Sequence, residues 1–116
     1  MEPRIADRGS HIEVVIGVSG LRGPDFLDVL GRATDRFGRK PILVLCDDPE
    51  RQMDLDEAHR IGVDAARRFP RQAVAIVLRG RRTSEAEHFT ELVAANRGAR
   101  VRYFDDAATA RSWLAA

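Results

Sequence analysis

The segment Ala73-Val74-Ala75-Ile76-Val77-Leu78-Arg79-Gly80-Arg81-Arg82-Thr83-Ser84 decides how the chain is read. Its first six residues are apolar without interruption, and half of them are β-branched. Such a run predicts a strand covered on both faces, as in a parallel sheet with helices packed against it. The run then breaks at a charged turn, Arg79 to Arg82, and Thr83-Ser84 opens a helical pattern. Turns of this kind, at the carboxyl ends of parallel strands, are where α/β proteins bind ligands and partners.

Working outward, the same grammar repeats. His11 to Val18 alternates, with Ile12, Val14 and Ile16 on one face and Glu13 on the other, so this strand has a partly wet side. Gly23-Pro24-Asp25 opens a helix with proline in its first turn. Phe26, Leu30, Ala33 and Phe37 form its apolar stripe, joined by Leu27 and Val29, and Gly38 ends it. Ile42 to Cys46 is a second wholly apolar strand, closed by Asp47-Asp48-Pro49. Asp54 and Glu57 form a capping pair for the next helix, whose expected stripe is Leu55, Ala58, Ile61, Gly62, Ala65 and Phe69, and Pro70 stops it. After the 73–78 strand, Thr83 or Ser84 caps a helix with Glu87 three residues after Ser84. Ala86, Phe89, Leu92, Val93 and Asn96 are expected inside, and Gly98 ends the helix. Val101 to Phe104 is a short strand in which arginines alternate with apolar residues, the pattern of a sheet edge. Asp105 or Asp106 caps a last helix that turns Ala107, Ala110, Trp113 and Leu114 inward. Arg4-Ile5-Ala6 reads equally as a short extra edge strand or a frayed end.

The result is one α/β domain of four βα units, each about 30 residues long. Right-handed crossovers make its four strands parallel, with the first and last nearer the edges because they alternate while the middle two do not.

Composition narrows the function. The chain has 116 residues, 44% hydrophobic and 32% charged, the profile of a globular domain. A net charge of +1 offers no global field for nucleic acid or for a membrane surface. Lys40 is the only lysine, which removes a phosphate-loop lysine downstream and leaves little scope for Schiff-base chemistry. The single cysteine, Cys46, excludes an intramolecular disulfide. With no apolar run near the roughly 20 residues of a membrane span and no apolar core of a signal peptide, the expected location is the cytoplasm.

The order and spacing over residues 11–116 resemble the STAS-like family of small bacterial proteins related to the sporulation anti-sigma-factor antagonist, SpoIIAA. The residues that carry the resemblance are the early strand ending at Gly20 and leading to a helix at Pro24, the strand Ile42 to Cys46 ending in aspartates, and Val101-Arg102-Tyr103-Phe104 followed by Asp105-Asp106 and a helix closing in Trp113-Leu114. The resemblance implies a STAS-like superhelix of βα units and a non-catalytic binding or regulatory module. Some family members are related to lipid-carrier-like domains. In the signalling branch a hydroxyl in the loop after the second core strand is phosphorylated. Here that loop, Asp47 to Met53, holds no serine or threonine, and carboxylates carry less charge and fewer acceptor oxygens than a phosphate.

Candidate chemistry is sparse. Cys46 ends a strand, but no histidine is near it in sequence and the following aspartates disfavour a thiolate, so it reads as a small apolar residue. His11, His59 and His88 share no ligand spacing, so no metal is expected. A receiver-type acidic site would want an acidic pair after the first strand and a lysine near the last. The first strand instead runs into Val18-Ser19-Gly20, and no lysine follows Lys40. Gly17 to Gly23 lacks the dinucleotide-binding glycine spacing, so no cofactor is expected. The candidate partner- or anion-binding residues are Asp47 and Asp48 with Arg79, Arg81, Arg82 and Ser84; against this stands a solvated loop in an arginine-rich chain, with Arg79 paired to Asp47 on the neighbouring strand. The leading expectation is a regulatory protein-binding module. Behind it stand a carrier or sensor of a small hydrophobic ligand, with a cavity lined by Phe26, Phe69, Phe89 and Trp113, and last an enzyme using Cys46 or the aspartates. Neither nucleic-acid binding nor membrane insertion is expected, and a homodimer is left open.

Overall fold

A computed structural model describes residues 3–17, 23–47, 53–79 and 82–116. Five strands and four helices follow in the order β1 (Arg4–Asp7), β2 (Ile12–Ile16), α1 (Gly23–Phe37), β3 (Ile42–Cys46), α2 (Leu55–Arg68), β4 (Ala73–Leu78), α3 (Glu85–Ala95), β5 (Arg100–Phe104) and α4 (Ala107–Ala115). The sheet is mixed, and its spatial order is the chain order, β1-β2-β3-β4-β5. The four strands β2 to β5 are parallel, as their βα connections require, with Ile12 beside Ile42, Ile42 beside Val74 and Val74 beside Val101. β1 folds back antiparallel on β2 through the turn at Arg8–Gly9, so the N-terminal segment is a strand. Gly9 takes the left-handed conformation at φ 86° in that turn, and Asp7 there accepts the Gly9 N–H and pairs with Lys40.

Strand periodicity splits the core in two. Ile12, Val14, Val44, Val74, Ile76 and Tyr103 point to one face and pack with α1, α2 and the end of α3. Leu43, Leu45, Ala75, Val77 and Phe104 point to the other, where α4 brings Ala107, Ala110, Trp113 and Leu114. All six residues of β4 are buried, as its unbroken apolar run implies. β5 forms one edge and β1 the other, which leaves β2 one strand in from the edge. On β5 the carboxylate of Glu91 accepts the Tyr103 N–H at 2.7 Å and so occupies an edge donor.

Two helix faces differ from their sequence expectation. Leu55 and Leu92 are each 56% exposed, and Asn96 is exposed. In α3 the buried positions are Ala86, Glu87, Thr90, Val93 and Ala94. The helix is rotated because two polar side chains find partners inside. Glu87 accepts from the Ser84 backbone N–H and hydroxyl. Thr90 Oγ1 donates toward the carbonyls of Ala58 and Ala86, both at 3.2 Å. A satisfied polar group can be buried cheaply, and its place on the stripe displaces Leu92. Leu55, at the first position of α2, lies at the helix end rather than over the core.

At Gly62 the helices α2 and α3 approach tightly. A Cβ there would sit 2.8 Å from both Val93 Cβ and Cγ1, and 3.1 Å from the Thr90 carbonyl oxygen. Gly62→Ala therefore forces the two helices apart, and a loss of about 1–3 kcal/mol is expected, the scale of core overpacking. Gly31→Ala meets only the far end of the Arg68 side chain, at 3.2 Å, which can shift by a few tenths of an ångström while keeping its pair with Asp28, and should be neutral or stabilising by up to about 1 kcal/mol through helix propensity. Urea midpoints of the two variants check this, and equal midpoints would contradict it.

Trp113 is half-buried, tilted against Phe104 at 5.6 Å between ring centroids, with the Arg100 guanidinium over its outer side at 5.4 Å. It anchors α4 to the sheet without being enclosed. Trp113→Ala should cost about 2 kcal/mol, below the roughly 3–5 kcal/mol of a fully buried aromatic; an unchanged melting temperature would show that α4 is held by other contacts.

Candidate functional site at the carboxyl ends of the strands

Parallel pairing of β2 to β5 brings four chain exits to one end of the sheet. Two of them continue the ladder past the strands: the Asp47 N–H donates to the Ile16 carbonyl and the Arg79 N–H to the Cys46 carbonyl, both at 2.9 Å. Asp47 and Arg79 thus emerge side by side from adjacent strands, and their side chains meet. Arg79 Nε and Nη2 donate to Asp47 Oδ1 and Oδ2, each at 2.6 Å, in a bidentate pair. The side chains are 44% and 41% exposed, so the pair orients the rim more than it stabilises the fold. Its chemical consequence is larger. Two of the five Arg79 N–H donors and one lone pair on each Asp47 oxygen are committed to the pair, which largely offsets the two charges at the rim.

The turn beyond Arg79 is fastened at its far side. Asp105 Oδ1 accepts the Thr83 N–H at 2.9 Å, linking the β4–α3 connection to the end of β5. Ser84 is the exposed N-cap of α3, and both its backbone N–H and its hydroxyl donate to Glu87 Oε1, at 2.7 and 2.8 Å. Glu87 is only 1% exposed. Its carboxylate sits at the helix N-terminus, where the free N–H groups and the helix dipole favour negative charge. His88 lies 3.4 Å from both Thr83 Oγ1 and Glu91 Oε1. Arg82 is exposed at the rim. Asp48 and Arg81 lie outside the described residues. Of the candidates named from sequence, Asp47 and Arg79 are brought into direct contact, Ser84 belongs to the cap of α3, and Arg82 lies in the same connection.

Cys46 is half-buried against the core cluster on the α1 side, a packing position at the strand end. The histidines are dispersed: His11 beside Ser10, His59 stacked on Phe89 with centroids 6.4 Å apart, and His88 at the start of α3. Among the described residues no group of three or more His, Cys, Asp or Glu side chains could hold a metal ion. Among the described residues no helix is long and apolar enough to cross a membrane. Two rim residues were missing from the sequence reading as rim residues. Glu87 was legible as the third position of a Ser84-x-x-Glu87 cap, but not as buried. The tie from Asp105 to Thr83 joins residues 22 apart and has no local signal.

At the same end, Asp106 caps α4. Thr109 donates both its backbone N–H, at 2.8 Å, and its hydroxyl, at 2.9 Å, to the carboxylate. These bonds to the charged form hold the Asp106 carboxyl below its ordinary value. Because the folded value is the lower one, the stabilisation is complete above the unfolded value, about 3.9, and is lost as pH falls through the folded one. Asn caps equally well but does not titrate there. As pH falls from the unfolded value towards the folded one, the wild type should therefore lose stability with a steeper slope than Asp106→Asn. Parallel acid limbs in the two urea-denaturation series would contradict this.

Compared with protein-family models, with curated proteins and with solved structures, the chain matches none. The class established by the coordinates is an α/β domain with a five-stranded mixed sheet and four helices, carrying a charged, internally bonded rim at the carboxyl ends of its parallel strands.

Proposed function

We propose that this chain is a non-catalytic, STAS-like bacterial module that acts in the cytoplasm as a regulator, by binding a protein partner at the carboxyl-end rim. The observation that carries this reading is the placement of the aromatic side chains. A carrier of a small apolar ligand needs them around one space. Phe26 and Phe69 belong to the cluster under α1 and α2, and Phe89 to a separate one with Met53, Ala58, Ile61 and Ala86. Trp113 is on the opposite face of the sheet. They fill three regions of core in place of lining one cavity. The catalytic alternative is disfavoured in the same way, since Asp47 is committed to Arg79 and Cys46 is packed against the core. Consecutive strand order with parallel βα units supports a STAS-like superhelix.

The proposed partner surface is built on the Asp47–Arg79 pair with Arg82 and Ser84 from the next connection, and in sequence it takes in Asp48 and Arg81. A mixed-charge rim of this kind selects a partner by complementarity and steers its approach. Replacing Arg81 and Arg82 with Ala should change stability by no more than about 0.5 kcal/mol, as surface substitutions do. It should weaken association with the partner, and the loss should shrink as salt rises because exposed charges are screened. Affinity capture from the native cytosol supplies the partner, and titration of wild type and double variant across a salt series supplies the test. Unchanged affinity and salt dependence would exclude the turn as the contact surface.

A further inference from the structure

The outer surface of α2 and α3 carries an apolar patch that the fold leaves uncovered. The two helices lie side by side and run in the same direction, because each follows one of two adjacent parallel strands. His59 of α2 stacks on Phe89 of α3, with ring centroids 6.4 Å apart, and so bridges the groove between them. On the same faces, Leu55 lies one turn before His59 and Leu92 one turn after Phe89. Each leucine is 56% exposed, and among the described residues these are the exposed large hydrophobic side chains. Val63, half-buried, continues the strip on α2. Both large apolar side chains that the fold leaves in water therefore belong to one patch. The rotation of α3 that buries Thr90 is what sets Leu92 there.

The charges bordering the patch are polarised along the helices. Asp56 and Glu85, in the first turns of α2 and α3, are exposed at one end. Neither has an ion pair among the described residues. Arg67, in the last turn of α2, and Arg97, just beyond α3, are exposed at the other end. Arg67 is tied to Asp64 in its own helix but stays 75% exposed, with donors to spare. Arg97 bonds only to the Val93 carbonyl, at 3.4 Å.

An apolar strip with one acidic and one basic end is complementary to itself when turned around. A two-fold axis lying in the face and crossing the helices sets α2 against α2 of a second copy and α3 against its α3, both antiparallel. Asp56 then meets the partner's Arg67, Glu85 meets the partner's Arg97, and the helix dipoles oppose. A lipid surface would select cations along the whole border, and the acidic end disfavours it. At 1.5 Å per residue α2 spans about 21 Å and α3 about 16 Å. Faces of that length fall at the low end of specific interfaces, about 1,200 Å² in total, so the affinity expected is micromolar.

We infer that the outer face of α2 and α3 is a homodimer interface, on which a second copy of this chain packs antiparallel over Leu55, His59, Phe89 and Leu92 with the acidic and basic ends exchanged. Both helices start at the rim end of the sheet, so this packing leaves the two rims at opposite ends of the dimer, both open. The interface stands independently of the function assigned to the rim.

The test is sedimentation equilibrium of the full chain in low salt, from about 10 μM to about 1 mM, the range that brackets a micromolar Kd. The average mass should rise with concentration from the 12.9 kDa monomer toward twice that value. Leu92→Glu should weaken association by about tenfold or more, since it removes apolar burial from both copies. Charge reversal then tests the geometry. Asp56→Arg with Glu85→Arg makes both ends of the face basic, and Arg67→Glu with Arg97→Glu makes both acidic. Each double variant should be monomeric alone, and an equimolar mixture should form a heterodimer about as strong as the wild-type dimer. All five positions are exposed, and circular dichroism melts verify that each variant folds. A wild type that stays monomeric throughout would overturn the proposal and leave the face to a different protein. An undiminished dimer in Leu92→Glu, or charge variants that dimerise alone or fail to pair when mixed, would each overturn it as well.

Discussion

The two-sided burial of β3 and β4 is the constraint on which the rest of the structure depends. A strand with apolar residues on both faces must have both faces covered, because each large aliphatic side chain left in water forfeits about 1.5–3 kcal/mol. Consecutive parallel strands leave α1, α2 and α3 against one face. The other face of β3 and β4, with Leu43, Leu45, Ala75 and Val77, must then be closed by something that follows, and α4 is what does so. A nine-residue helix suffices because β3 to β5 carry the apolar part of that face. Toward β1 and β2 it becomes polar, where Glu13 pairs with Arg8 and approaches Arg111.

The same arrangement leaves two sheet edges, and each is blunted. β1 is four residues long, is preceded by Pro3 and carries Arg4 and Asp7. β5 carries Arg100 and Arg102 and has the Glu91 carboxylate on one of its outward N–H groups. Short, charged edges of this kind oppose strand addition and aggregation. Contacts made by the protein with others are accordingly expected at the ends of the sheet, where loops and helix termini present side chains, or on its helices, and not along its edge strands.

Much of this was legible in the sequence. Unbroken apolar runs marked β3 and β4, and the alternation of Arg100 to Phe104 marked an edge. Asp54 and Asp106 were recognisable as caps, and both accept an N–H three residues on. The pairing of Arg79 with Asp47, expected if the turn is a solvated loop beside the neighbouring strand, is present in the structure. Two things escaped. Helical periodicity tells that α4 is amphipathic but not which face of the sheet it covers, since that depends on how the chain turns after β5. The rotation of α3, with Glu87 and Thr90 inside and Leu92 outside, escaped because a buried polar residue is visible only through its partner. For Thr90 that partner is a carbonyl on another helix, and sequence pattern holds no record of it. The burial of the Gln72 amide was invisible for the same reason, as its partners Thr34 and Lys40 lie more than 30 residues away.

The proposed function holds that the chain works through its surface and does not enclose an apolar ligand, and the separate placement of Phe26 and Phe69, Phe89, and Trp113 in the core supports it. The most direct measurement is titration of the folded protein with a medium-chain fatty acid and an environment-sensitive apolar dye, followed by methyl and aromatic NMR. The account predicts no saturable site and no perturbation of Phe26, Phe69, Phe89 or Trp113 below the concentration at which the fatty acid forms micelles. Stoichiometric binding that shifts the resonances of these four residues together would contradict it.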